Sequence, residues 1–428
     1  MRRGTADAAR RSPLMLQPLR HGLFKWYWIG QTLSAVGDGI FFATLSILIL
    51  QRRDNPADLG LVLGAQSLAF AVSVLAGGVV ADRFKRSNVM AAADLIRLVA
   101  VAGFMLLPIQ AHLGLLVLCG VLMGGGQALF APAQRALIPA LVPNEVIQSA
   151  NALITTSSRT AGIVGPAIGG VVVTALSVEW AFAIDLATFA VSVVTLLVVS
   201  RNLGSDTRSR PSASFMDETL AGLRVVWQHR WVLVIIAQGA FQVLLVHAPL
   251  VVLLPIYLSA HGSLSQLGYA YSAQAVGAVA GGVAANKIRV KEPGTAALLA
   301  LLTAAAPILS MLSGSALWVL LVAMGVAGIG GSVFGVIWTT AIQKAIPSEA
   351  LARVASLDYL GQLGLDPVGL AATPFAVRRF GLEPVLVASG IGLVVTTILP
   401  FAVKGVRRFE DPRADPEDAV DSARERRS

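Results

Sequence analysis

Runs of about 20 apolar residues, each closed by charges, Pro, Gly or Trp, recur along the whole chain. Coiled at about 1.5 Å per residue, each run reaches across a ~30 Å hydrocarbon core. The pattern predicts spanning helices at about 28–50, 59–80, 88–108, 113–132, 151–175 and 179–199. After a polar stretch from Arg201 to Arg230, a second set is predicted at about 231–257, 266–285, 295–313, 316–338, 354–376 and 384–403. The expected fold is an all-α membrane protein with twelve transmembrane helices in two pseudo-symmetric six-helix bundles, 28–200 and 231–404. The expected remainder is an N-terminal tail over 1–27, a connecting loop over 201–230 and a C-terminal tail over 405–428.

Trp26, Trp28, Trp180, Trp227, Trp231, Trp318 and Trp338 all fall at or just outside predicted helix ends. An amphipathic indole suits the headgroup layer, so the tryptophans support those boundaries. In the connecting loop, Met216, Leu220, Leu223 and Trp227 repeat at helical spacing opposite Asp217, Glu218 and Arg224. That spacing predicts a helix lying on the membrane surface, with a plain linker as the alternative. From Glu410 onward the chain is charged and contains Pro, and disorder is expected there.

Composition agrees with this pattern. The 428 residues are 55% hydrophobic and 13% charged, against roughly 25% charged in soluble domains. The net charge of +9 would suit nucleic acid until the positions are considered. Of the 33 Lys and Arg, 27 fall in the tails, in alternate loops beginning at Asp82 and in the connecting loop. Arg52, Arg53, Arg378 and Arg379 lie on the opposite side, and Arg97 and Arg159 inside segments. This asymmetry is a topology signal that predicts cytoplasmic termini and a cytoplasmic Asp82 loop in a plasma-membrane protein, with lipid rather than nucleic acid as its surroundings. The single cysteine, Cys119, excludes an intrachain disulfide. Met1 to Lys25 is basic without a short apolar core and cleavage site, and is expected to be a tail rather than a signal peptide.

The chain also repeats itself. Gly77-Gly78-Val79-Val80-Ala81-Asp82-Arg83-Phe84-Lys85-Arg86 is echoed by Gly281-Gly282-Val283-Ala284-Ala285-Asn286-Lys287-Ile288-Arg289 at an offset of 204 residues. The same offset carries Leu141–Glu145 onto Ala345–Glu349 and Phe130 onto Phe334. Two loops in register at one offset point to a duplicated half.

Ionisable groups inside the apolar segments are the mechanistic candidates, because a charge at the bilayer centre costs about 2.5–3.5 kcal/mol on insertion scales. Asp38 lies ten residues into predicted helix 1, with Ser34 and Gln31 on the same face. It is a proton-coupling candidate, and a structural carboxylate is the alternative. Arg159 in helix 5 is expected at a similar depth, where it either pairs with Asp38 or reaches the cytoplasmic interface. Asp94 and Arg97, three apart, are expected to pair locally. Asp185 and Asp358 are expected to serve packing or capping. Asp366 precedes Pro367 about halfway along helix 11, which suggests a hinge beside a titratable group. Gln238, Gln242 and His247 give helix 7 polar groups suited to a bulky, largely apolar ligand.

Twelve helices in two halves, with Gly-x-x-x-Asp-Arg between helices 2 and 3, resemble the major facilitator superfamily. Gly165-Pro166-Ala167-Ile168-Gly169-Gly170 is similar to the helix 5 motif of its drug:proton antiporters. Gly37-Asp38, Asp94-x-x-Arg97, Phe182-x-x-Asp185 and Ser356-Leu357-Asp358 resemble the macrolide-efflux-like branch. The departures are Ala152 and Ala161 where antiporter glycines are usual, Lys85 where the loop motif usually has Gly, and Gly124-Gly125-Gly126-Gln127 where many relatives carry an intramembrane Arg.

The resemblance implies that helices 1, 4, 7 and 10 line a central cavity. Gln31, Ser34, Gln127, Gln238, Gln242 and His247 would then face substrate. It makes Gly78, Asp82, Arg83 and Arg86 a cytoplasmic gate, with Gly282, Asn286, Lys287 and Arg289 as its second copy. Asp82 would meet the start of helix 11. Because Asn286 is uncharged, losing the Asp82 charge is expected to matter more than losing Asn286.

No nucleotide-binding, metal-spaced or nucleophile motif is present in the sequence, so no enzyme activity, cofactor or metal is expected. The expected function is proton-coupled efflux of hydrophobic or amphiphilic small molecules, antibiotics or secondary metabolites, by alternating access, with the monomer as the working unit. The alternatives are a facilitator for a metabolite, and a transport-incompetent receptor or assembly protein.

Overall fold

The computed structural model describes residues 14–410 apart from 54, 108–111, 205–225, 228, 263, 286–289, 347–349, 351–353, 355–356, 359–360 and 362–363. The side chains of Asp82 and Arg159 are also outside the description. A short 3₁₀ turn, Leu14–Arg20, precedes the helices. They are α1 Gly22–Arg53, α2 Pro56–Arg83, α3 Arg86–Leu106, α4 Leu113–Leu141, α5 Ile147–Ala175 and α6 Val178–Asn202. Then come α7 Arg230–His261, α8 Gln266–Ala285, α9 Pro293–Leu312, α10 Leu317–Ala345, α11 Asp366–Phe380 and α12 Leu382–Ile398. Among the described residues nine of these, all but α5, α8 and α11, are long and apolar enough to cross a membrane. Their exposed faces carry large apolar side chains such as Leu68, Val72, Val194, Val322 and Ile391, as expected of helices solvated by lipid. Of the connecting-loop helix expected at Met216–Trp227 the described part is its end, with Trp227 helical and exposed; the second gate copy from Asn286 to Arg289 and the tail beyond Glu410 lie outside the described residues.

The chain forms two compact units, Met1–Ser212 with Leu258–Ser272, and Ala213–Tyr257 with Ala273–Ser428. In the first, α1 packs on α5 and α6, α2 on α4, and α3 on α4 and α6. Local chemistry sets the joints between helices. Asn55 caps α2 by accepting from the Ala57 amide at 3.1 Å, and Pro56 occupies the first turn, where its missing N–H is no loss. Arg53 and Asn55 both donate to the buried Asp58, so an arginine on the charge-poor side of the chain has a local partner. At the other end of the bundle Tyr27, Met90, Phe130, Leu137 and Leu196 share one apolar core.

In the second unit, α7 contains a π-helical turn, Val243–His247, packed against α11 and α12. Trp231 and Trp338, expected at the headgroup layer, are instead core residues. They meet edge to face at 6.0 Å, and Phe409 stacks on Trp231 at 5.3 Å. The chain after α12 folds back and covers both indoles, a contact between residues far apart in sequence that no boundary pattern announces. The Trp338 indole N–H donates to Asp358 at 3.2 Å.

The repeat shows in these packings. At the 204-residue offset Tyr27 corresponds to Trp231 and Gln134 to Trp338. In the first unit Gln134 donates to the Tyr27 hydroxyl at 3.1 Å, and in the second the two indoles occupy those places.

Candidate functional site

The interior of the first unit is built around Arg97. Position 97 falls on the buried face of α3, together with Met90, Ala93, Asp94, Val101 and Phe104. The residue is 3% exposed and its guanidinium reaches α1, where Nη1 donates to both carboxylate oxygens of Asp38 at 3.2 and 3.1 Å. Nη2 donates to Asp94, one turn back on α3. The guanidinium carbon lies 4.8 Å from the Phe130 ring of α4 and 4.6 Å from the Phe189 ring of α6, so its faces are covered by aromatic carbon. A β-carbon at Gly126 would lie 2.7 Å from the Arg97 Cγ and 3.0 Å from the Ala93 carbonyl, so that glycine makes room for the side chain.

The network continues beyond the ion pairs. The Ser192 hydroxyl of α6 donates to Asp94, and the Gln31 amide of α1 donates to Ser192 at 2.9 Å. Asp94 and Asp185 are fully buried, whereas the Asp38 side chain is 40% exposed. Asp185 touches α1 at Gly37, where a β-carbon would overlap Asp185 Oδ1 and Thr188 Oγ1. Three helices, α1, α3 and α6, therefore bring Gly37-Asp38, Asp94, Arg97 and Asp185 into one cluster. Burying such charges is tolerated only when they are paired and hydrogen-bonded.

Several expectations change. Asp38 pairs with Arg97; the side chain of Arg159, the partner expected for it, lies outside the described residues. Arg97 can reach Asp38 because α3 faces α1 across the space that Gly126 leaves. The local Asp94–Arg97 pair forms as expected, and it is also part of a network that reaches α1 and α6. Asp38 lies at the middle of a 32-residue α1, since the helix begins at Gly22 rather than near Trp28. Gln31 and Ser34 are buried in the bundle, with Gln31 joined to the cluster. Asp366 and Pro367 open α11 directly after a break at Leu365, with Gly361 and Gly364 helical before it, so the proline occupies a place where helices accept it. A carboxylate there is also favoured by the helix dipole.

The remaining candidates are dispersed. Gly165 packs on α1, where a β-carbon would lie 2.6 Å from the Val36 carbonyl and 2.7 Å from Gly39 Cα. Pro166 and Gly169 continue that contact along Gly39 and Ile40, and Gly170 lies against the Gly268 backbone of the same unit. The helix 5 motif thus seats the stretch of α1 that carries Asp38. Gly78, Asp82 and Arg83 end α2, and Arg86 starts α3 and donates to the Ala136 carbonyl at 3.0 Å. Lys85, the departure from the loop motif, donates to the carbonyls of Ser200 and Leu203 and so caps the end of α6. Gly282 closes the series near the end of α8, and Asn286, Lys287 and Arg289 lie outside the described residues. Gln127 is exposed on α4. In α7, Gln238 is 5% exposed and donates to Gln242, and His247 is exposed at the end of the π-helical turn.

Sequence reasoning missed Phe130, Phe189, Ser192 and Gly126. A signal was available for α6, because Asp185, Thr188, Ser192 and Thr195 recur at helical spacing as a polar stripe in an apolar segment. The offset of 204 gives a second comparison. Asp38, Asp94, Arg97 and Asp185 correspond to Gln242, Leu298, Leu301 and Ser389, whereas Gly126, Phe130 and Gly165 correspond to Gly330, Phe334 and Gly369. The second half keeps the glycines and the aromatic but none of the four charges.

Apolar helices with a buried ion network inside one six-helix bundle define an integral membrane transporter. Residues 27–364 match the family described as Major Facilitator Superfamily, and the chain belongs to it. It is 23% identical over 400 residues to macrolide efflux protein A of Streptococcus pyogenes, covering 90% of this chain and 97% of that one. It is 27% identical over 409 residues to the enterobactin exporter EntS of Escherichia coli O1:K1 / APEC, covering 91% and 94%. Its fold is similar to that of the nucleoside transporter NupG, with a TM-score of 0.71 at 11% identity over 89% of this chain and 99% of that one.

Proposed function

We propose that the protein is a proton-coupled exporter of hydrophobic or amphiphilic small molecules, working by alternating access in the plasma membrane with both termini in the cytoplasm. One observation carries the coupling. In the Arg97 network Asp38 is the carboxylate open to its surroundings, while Asp94 is fully enclosed. Protonation of Asp38 would remove its pairing with Arg97 and release the mid-point of α1 from α3. Arg97 would stay held by Asp94 and the two rings. Deprotonation would restore the contact, so proton occupancy and helix position are linked through one ion pair.

Export, rather than uptake, is supported by what the relatives are called, a macrolide efflux protein and an enterobactin exporter. The neutral pair Gln238–Gln242 and His247 suit a ligand with few charges. That the four clustered charges have uncharged counterparts in the second half supports coupling in the first half. One proton moving through 100 mV supplies about 2.3 kcal/mol, enough for a roughly fifty-fold gradient of a neutral substrate. Basic residues gathered on alternate loops support the topology. The test is efflux from cells with and without a protonophore, comparing wild type with Asp38→Asn. Wild-type efflux should collapse with the protonophore, and the variant should lose active efflux. Efflux indifferent to both changes would overturn proton coupling.

A further inference from the structure

We infer that Asp185 is a second proton-binding site, a carboxyl group held in its acid form beside the Asp38–Arg97 ion pair. The geometry supplies two independent reasons. Three carboxyl groups, Asp38, Asp94 and Asp185, share the interior of the first unit with one described guanidinium. Both terminal nitrogens of that guanidinium are taken, by Asp38 and by Asp94. Separately, Asp185 is fully buried and its Oδ2 has no hydrogen-bond partner among the described residues. Among the described residues its Oδ1 meets the Thr188 hydroxyl, at 3.4 Å, on the side toward Gly37.

An ionised carboxylate enclosed with one oxygen bare costs far more than the same group as a neutral acid. The helices packed on α6 are α1, α3 and α5. From α1 comes Asp38, and from α3 come Asp94 and Arg97. From α5 the one titratable group within the span is Arg159, outside the described side chains. On α6 itself, Glu179 and Arg201 lie toward the two ends, about 9 and 24 Å away along the helix. With all three carboxyls ionised, the cluster of described groups carries two net negative charges in an enclosed space. A proton on Asp185 reduces this to one while Asp38 is paired, and Asp38 becomes neutral when it takes up the transported proton. Asp185 therefore holds a resident proton and Asp38 the exchanging one. This division of labour rests on the proton-coupled reading, whereas the acid form of Asp185 does not.

The experiment is infrared spectroscopy of the purified protein in lipid, reading the carbonyl stretch of protonated carboxylic acids. Wild type at neutral pH should show such a band, Asp38→Asn should keep it, and Asp185→Asn should lose it. Absence of the band from wild type, or its persistence in Asp185→Asn, would overturn the inference. Where Asp185→Asn does not fold, Asp185→Glu keeps the acid and should shift the band, and an unshifted band would also overturn it. A surviving band together with protonophore-insensitive efflux would remove the coupling reading alone. A missing band with protonophore-sensitive efflux would remove this inference alone.

Discussion

Replacing Arg97 with methionine should destabilise the protein chiefly through Asp94. Methionine approximates the length of the arginine stem and leaves the Phe130 and Phe189 rings in apolar contact, so the change isolates the charge. Asp94 has no exposed surface, and losing its counter-ion leaves an uncompensated buried carboxylate, a loss of about 3–5 kcal/mol. Asp38 also loses its partner, but its side chain is 40% exposed, and solvent screening holds that part to at most ~1 kcal/mol. Asp38→Asn alone should therefore cost about 1 kcal/mol or less by the same reasoning, although it removes coupling. Adding Asp94→Asn to Arg97→Met removes the orphaned charge and should recover a large part of the loss, a strongly non-additive pair. Unfolding in mixed detergent micelles, followed by circular dichroism for the four members of the cycle, measures this. Additive losses, or Arg97→Met as mild as Asp38→Asn, would refute the claim that Asp94 is the enclosed partner.

Other perturbations follow from the same packing. Gly37→Ala places a methyl group on Asp185 and Thr188 and should cost about 1–3 kcal/mol by overpacking, relieved in part by Thr188→Ala and measured by thermal unfolding. Phe409→Ala uncovers Trp231 and Trp338 and should cost about 3–5 kcal/mol, with a red shift of tryptophan fluorescence as buried indoles meet a more polar environment. Lys85→Met removes two donations to the α6 terminus, and should speed amide exchange around Ser200 to Leu203 while leaving exchange in the middle of α6 unchanged.

Apolar runs and turn residues are local properties, and they were enough to reveal the membrane class, the helix order and the duplication. Ends were less legible. The apolar run alone starts α1 near Trp28, but the helix begins at Gly22 because Phe24 and Tyr27 find a core formed by α3, α4 and α6. Trp231 and Trp338 look like interface anchors by position, and only the returning segment that ends in Phe409 makes them core residues. At the candidate site, Gly37, Asp38, Asp94, Arg97 and Asp185 could each be picked out as unusual within an apolar segment. Their partners could not. By depth along the sequence Arg159 is the partner offered to Asp38, and the spacing that pairs Arg97 with Asp94 gives no sign that Arg97 also reaches α1.

The choice was tertiary. Gly126 opens a path from α3 to α1, Phe130 and Phe189 close over the guanidinium, and Gly37 lets Asp185 approach the same place. The sequence by itself determined that this chain spans a membrane as two related halves and that the four charged positions of the cluster occur in one half only. That follows because lipid penalises exposed polar groups segment by segment. Which charges neutralise one another, which carboxylate stays open and which is left without a counter-ion were decided by helix packing. The energy of a buried charge depends on the few ångströms around it, and those neighbours come from helices far apart in the chain.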